Sequence, residues 1–318
     1  MKLRVVTLGL AASAVIGFTV FAQQAPAPAA AGQAPAGGRQ GGGGRASTAP
    51  PNVPLPTQYQ TNPNGMRIYI RSGNKTHGDG PLHDYPQFLA DWSKALTLRG
   101  ALVDGSFHAP TAAELEKADV MVMYKGDAGY MTDKEKADFE AFIKRGGGIV
   151  QLHDTLCGPD PAYYSTIVGG AKRHGETNFT LEADIPYTIV DKANPIMQGM
   201  SDFTLAKDEA FYSMTWATGP KINVLATAKI AATPTAVNAG HAGEEVPQIW
   251  TYEHTMAGGT APARAFVWMQ GHDYANVNDP RIKNMLLRGI AWAAKRPVNE
   301  LVDYVQPARG GGRGRGGN

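Results

Sequence analysis

The stretch TDKEKADFEAFIKRGGGIVQLH, residues 132–153, decides the fold. Thr132 followed three residues later by Glu135 is a capping box, which satisfies the free N–H groups at a helix start. Asp133 sits at the positive end of that helix dipole, and Lys144 and Arg145 at the negative end. Phe139, Phe142 and Ile143 recur at helical spacing and form its buried stripe. Gly146 to Gly148 turn the chain. Ile149-Val150-Gln151-Leu152 then reads as a strand that ends on His153. A helix feeding such a strand is half of a βαβ unit, so the sheet is expected to be parallel.

The same grammar extends in both directions. Upstream, Arg67–Ile70 reads as a strand. Asp84 caps a helix with Pro86 in its first turn and Phe88, Leu89, Trp92 and Leu96 on its apolar face. Ala101–Val103 and Val120–Met123 are two more strands. Downstream, residues 158–243 are less regular, with short strands and long loops, and are expected to elaborate one end of the sheet. Gln248–Thr251 and Arg264–Met269 are late strands. Asp279 caps a last helix, with Pro280 at its first position, Ile282, Met285, Leu286, Ile290 and Ala293 facing the core, and Pro297 stopping it. The expected class is α/β, a mainly parallel sheet with helices on both faces and an elaborated loop region.

The ends differ in composition. Lys2 and Arg4 precede an apolar run, Val5–Phe21, and Val20-Phe21-Ala22 supplies small residues for a signal peptidase, so residues 1–22 read as a signal peptide cleaved near Ala22. Residues 23–61 are a low-complexity Ala/Pro/Gly linker. Residues 62–298 form the α/β domain, and 299–318 a Gly/Arg-rich disordered tail. The protein is therefore expected to be secreted or periplasmic, with no stable membrane span. The formal charge is +2. Seven of its cations, Lys2, Arg4, Arg39, Arg45, Arg309, Arg313 and Arg315, lie in the low-complexity ends, so +2 less 7 leaves about −5 for the rest of the chain. An acidic core argues against a nucleic-acid partner. Cys157 is the single cysteine, so no internal disulfide is available.

In open parallel sheets ligands gather outside the carboxyl ends of the strands. Histidines stand at three such ends: His77 and His83 after the first strand, His153 after the fourth, and His272 after the late strand. Lys172 and His174 follow a Gly169-Gly170 turn, and Asp208-Glu209 precedes Tyr212. Imidazoles and carboxylates together suit a divalent metal or general acid–base work. The elbow G-x-S-x-G, the P-loop, H-E-x-x-H and C-x-x-C are all missing from the sequence.

At these residues the chain resembles the ThuA-like (trehalose utilisation) family. The resemblance rests on Arg145–His153, on Gly169-Gly170 with His174, on Asn194-Pro195-Ile196 with Gly199 and Phe203, and on Asp208-Glu209 with Tyr212. Gly271-His272 and Arg288–Ala294 complete it. It implies a flavodoxin-like, class I glutamine amidotransferase-like fold without the amidotransferase cysteine, His153 standing near that position. It also implies a role in sugar metabolism. The expectation is an exported lyase, isomerase or hydrolase acting on a sugar or keto-sugar such as a disaccharide or glycoside. His153, His174, Glu209 and His272 are its catalytic candidates. His83, Asp154, Lys172 and Tyr212 are candidates for substrate binding, and His153, His174 and His272 for a divalent metal such as Zn. Whether His77 or His83 joins the site stays open. The expected partner is a small-molecule carbohydrate, with self-association left open. A non-catalytic sugar-binding module and a structural envelope protein are the alternatives, and the latter requires that the histidines do not meet.

Overall fold

Three short βα units open the domain, and their caps are those the side chains dictate. β1 is Arg67–Ser72, and α1, Tyr85–Thr97, starts where Asp84 accepts from Gln87 N at 3.3 Å. β2 is Leu102–Ser106, α2 Ala112–Lys117 and β3 Val120–Tyr124. α3, Asp133–Lys144, carries its capping box, with Thr132 N donating to Glu135 Oε2 at 2.7 Å. β4, Gly148–Leu152, follows as expected. α4 is Pro161–Val168 and β5 Gly170–Ala171. β6 is Ala183–Ile189, β7 Phe203–Asp208, β8 Thr215–Trp216 and β9 Asn223–Lys229. α5 is Pro234–Asn238, β10 Glu245–His254 and β11 Ala263–Trp268. α6, Tyr274–Val277, and α7, Pro280–Ala293, close the chain. This computed structural model describes residues 65–304 apart from 176–178 and 181–182. The expected signal peptide, the linker and residues 305–318 lie outside the described residues. Packing continues past residue 298: Leu301 is fully buried, and Arg288 donates to Asn299 Oδ1 at 2.9 Å.

Nine strands make one sheet, in the order β2-β1-β3-β4-β11-β10-β9-β6-β7. β2, β1, β3, β4 and β11 pair in parallel, whereas β11-β10, β10-β9, β9-β6 and β6-β7 pair antiparallel. The irregular middle of the chain thus extends the sheet sideways rather than only covering one end. Helices flank both faces. Phe88, Trp92 and Leu96 of α1 and Ile282, Leu286 and Ile290 of α7 pack on Ile68, Val122, Val150 and Phe266. Phe139, Phe142, Ile143 and Ile167 pack on Tyr69, Met121, Ile149 and Val267 on the other face. α7 seats directly on β11. A Cβ at Gly289 would lie 2.3 Å from the Phe266 ring, so only glycine permits this approach. No described helix is long and apolar enough to cross a membrane.

Candidate active site

Because β1, β3, β4 and β11 run in parallel, the residues that follow them collect at one edge. His153 comes directly after β4 and starts a single 3-10 turn, His153–Leu156. Its φ is +55°, a left-handed conformation that a side chain other than glycine takes at a cost of about 1–3 kcal/mol. His83, at φ +48°, shares this strain. His272 follows β11 through Gln270 and Gly271. The backbone fixes His83 against it: His83 N donates to His272 O at 2.9 Å, and Tyr274 N to Pro81 O at 3.0 Å.

The three imidazoles converge on one point. His83 Nε2 lies 2.9 Å from His153 Nε2 and 3.0 Å from His272 Nδ1. Glu209 stands beside them, Oε2 3.8 Å from His153 Nε2 and Oε1 3.6 Å from His272 Nδ1. All four side chains are buried. His153 Nδ1–H donates to Met269 O at 3.3 Å, and a carbonyl only accepts, so the His153 Nε2 lone pair faces the cluster. Burial drives the His83 imidazole down to about 2, reinforced by His153, and burial drives His153 to about 4. Both rings are therefore neutral at pH 7. Three ring nitrogens then meet with too few protons to bridge them all, an arrangement that a cation relieves. Two overlapping sets, His83–His153–Asp154 and His153–Glu209–His272, each bring their donor atoms within 4.8 Å of one another, and so does His77–His83–His272. These groups are able to hold a metal ion.

Around this centre lies an open cleft of about 650 Å³, lined by His77, His83, Asp154, Lys172, Glu209 and His272 and, at its rim, His174. Asp154 does not cap the next helix; Asp160 does. Instead Asp154 Oδ1 sits 3.1 Å from Lys172 Nζ. Burial pushes the Asp154 carboxyl up, but His153 and Lys172 outweigh it and hold it well below the usual range. The same pairing overcomes burial and raises Lys172, whose ammonium lies 4.2 Å from the centre of the Phe211 ring. Thus Asp154 and Lys172 stay fully charged, suited to orienting hydroxyl or carbonyl oxygens rather than to exchanging protons.

The expected set separates in the structure. His153, His272 and Glu209 come together, and His83 joins them where His174 was expected. His174 points at Asp127 instead, its Nδ1 2.9 Å from Asp127 Oδ1, with its side chain over half exposed. His77 packs edge-on to His83, ring centres 4.1 Å apart, at the exposed mouth. Tyr212 is fully buried beside His241 and does not line the cleft. Trp250 is equally buried, its Nε1 donating to Val168 O at 2.8 Å. Tyr212 and Trp250 are thus spent in the core, and Phe179 is the aromatic side chain other than histidine that lines the cleft. One supporting residue belongs to the Asp208-Glu209 motif but stands outside the candidate set. Asp208, fully buried, accepts from His272 N at 3.0 Å, Gly271 N at 3.1 Å, Glu209 N at 2.8 Å and Asn276 Nδ2 at 2.8 Å. It ties the loop bearing Glu209 to the loop bearing His272. Burial raises its carboxyl to about 6 against those hydrogen bonds.

An α/β sheet, parallel across one half, with a buried histidine–carboxylate cluster at the carboxyl ends of its parallel strands defines a class of protein. The comparisons give the family within it. The family model for ThuA, trehalose utilisation, matches residues 93–293, and the chain belongs to that family. A ThuA-like protein from Parabacteroides merdae has a similar structure, with a TM-score of 0.55 at 18% identity over 72% of this chain and 90% of that one. Another, from Bacteroides uniformis, gives 0.56 at 15% over 75% and 94%. At these identities the likeness is one of fold. No curated protein matches the chain.

Proposed function

We propose that this protein is an exported carbohydrate-processing enzyme, a lyase, isomerase or hydrolase acting on a sugar or keto-sugar, whose histidine centre holds a divalent cation. One observation carries the reading: a buried ring nitrogen of His83 lies about 3 Å from a ring nitrogen of His153 and from one of His272, beside a buried carboxylate. A four-coordinate Zn ion with bonds of about 2.0–2.1 Å separates its donors by about 3.3–3.4 Å, close to the spacings here. His83, His153 and His272 would hold the ion, which would polarise a sugar oxygen. Glu209, in reach of two of these rings, is the group to move a proton. The Lys172–Asp154 pair orients the substrate. The family's tie to trehalose utilisation supports the substrate class, and the polar lining of the cleft suits a sugar better than an apolar ligand.

The test is metal analysis of purified full-length protein, paired with turnover assays on glycosides and their keto forms. One Zn per chain and chelator-sensitive turnover are expected. Protein that takes up no metal from Zn-supplemented buffer, with a melting temperature indifferent to chelator, would overturn the metal centre.

A further inference from the structure

A second pocket lies on the α3 face of the sheet, apart from the histidine centre. Arg71, the penultimate residue of β1, is in register with Met123 of β3, and Lys125 follows β3 directly. By strand alternation both side chains leave the sheet on the face of Met121 and Met123. There they border a cavity of about 40 Å³ whose other walls include Met121, Met123, Met131 and Phe139. Arg71 Nη1 is buried and has no hydrogen-bond partner among the described residues. A buried, unpaired guanidinium nitrogen costs free energy and asks for an acceptor. Lys125 Nζ donates to Gly126 O at 2.6 Å and Asp127 O at 3.1 Å.

The local charges do not cancel. Glu135 is the one acid in the lining, and its Oε2 already accepts from Thr132 N at 2.7 Å and Thr132 Oγ1 at 2.9 Å. Asp127, the next acid along, is turned to His174. Two cations against one committed carboxylate leave one positive charge over in a half-buried, methionine-walled pocket. Burial lowers the Lys125 ammonium to about 8, with Arg71 adding to the effect, the signature of a cation short of counter-charge.

We propose that this pocket is a binding site for a small monocarboxylate of formate or acetate size. A guanidinium offers a carboxylate two parallel N–H donors, and Lys125 adds a point charge. Size selects among anions. At roughly 10–15 Å³ per water-sized group, the cavity of about 40 Å³ takes about three to four heavy atoms, the size of formate or acetate, and is too small for a phosphate. The methionines and Phe139 receive a methyl group and offer nothing to the hydroxyls of a sugar acid. The site does not rest on the function proposed above. It does share a wall with the cleft, because Lys125 holds the carbonyl of Asp127, whose side chain meets His174.

Calorimetric titration of the full chain with acetate, and separately with inorganic phosphate, tests this. Carboxylates also bind metals, so every titration is repeated on His153→Ala, which removes the histidine centre. Saturable one-to-one acetate binding is expected, retained in His153→Ala, weakened at least tenfold in Arg71→Met and partly kept in Arg71→Lys. If Arg71→Met fails to fold, Lys125→Met takes its place with the same expected loss. Three results would each overturn the proposal: no saturable acetate binding, binding indifferent to Arg71 and Lys125, or phosphate binding as tightly through the same residues.

Discussion

The parallel and antiparallel halves of the sheet are built from different sequence, and the site draws on them unequally. Every residue of β3, Val-Met-Val-Met-Tyr, and of β4, Gly-Ile-Val-Gln-Leu, is buried, because helices cover both faces there. In β6, Ala-Asp-Ile-Pro-Tyr-Thr-Ile, burial alternates: Ile185, Tyr187 and Ile189 face the core while Asp184, Pro186 and Thr188 face water. All three imidazoles follow parallel strands. The antiparallel half contributes one site residue, Glu209, from β7, four places from β11 in the sheet order. It arrives because Asp208 fastens the end of β7 to the backbone of Gly271 and His272. The parallel half thus supplies chemistry by topology, and the antiparallel half by one buried carboxylate.

The largest expected effect separates the centre from its rim. His153→Ala or His83→Ala should lose the bound metal and lower turnover by about 10²–10⁴-fold. His174→Ala breaks only an exposed pair worth under about 1 kcal/mol, so turnover should fall less than about fivefold and metal content should hold. Metal content and steady-state rates of the three variants decide it. An equal collapse in His174→Ala would return His174 to the centre.

Core truncation tests the structural half of the comparison. Phe266→Ala empties the contact between β11 and Gly289 of α7 and should cost about 3–5 kcal/mol. Leu205→Ala in the edge strand β7 should cost less, about 2–3 kcal/mol, because an edge collapses more easily around a void. Chemical denaturation measures both, and a larger cost at Leu205 would make the antiparallel half the stability centre. Next in size, Asp208→Asn should weaken metal binding about 10–100-fold, as loss of outer-shell support does. Its amide would meet the donor Asn276 Nδ2 in place of an acceptor. Unchanged metal affinity would mean that the loop holds itself.

These differences explain what the sequence could and could not tell. The caps at Asp84, Thr132 and Asp279 are local, each made within three residues, so the helices were legible along with the strands they feed. The direction of β10 was not, since Gln248–Thr251 reads the same in either sense and the pairing with β11 and β9 is antiparallel. The choice between His77 and His83 turns on Leu82 pairing with Asp273, a bridge between residues 191 apart in sequence that no local pattern records. His174 separates from His153, Glu209 and His272 for a similar reason. Its partner Asp127 sits in the loop after β3, at φ +55°, in a stretch without periodicity.

The smallest effect concerns acid, and it sets the two halves against each other once more. In the folded protein burial lowers His83 to about 2 and His153 to about 4, both in the parallel half. It also lowers His254, at the end of β10, to about 4. An unfolded histidine titrates near 6.5. Below that pH the unfolded chain takes up protons that the folded rings refuse, so stability is complete above about pH 6.5 and falls as pH drops toward 4. Each buried ring adds a slope of at most about 1.4 kcal/mol per pH unit, so His254, one ring of the three, adds the smaller part of the total. Neither ring nitrogen of His254 has a hydrogen-bond partner among the described residues, and its ring stacks on Tyr252 at 4.6 Å. His254→Phe keeps the stack and removes the titration. In chelator, wild type should lose stability between pH 7 and 5, and His254→Phe should recover only the smaller part of that loss. Unfolding free energies at pH 7, 6 and 5 for both proteins measure it. If His254→Phe abolished the acid loss altogether, the acid sensitivity would belong to the antiparallel half, and the rings of the centre would have to be charged or metal-shielded in the folded state.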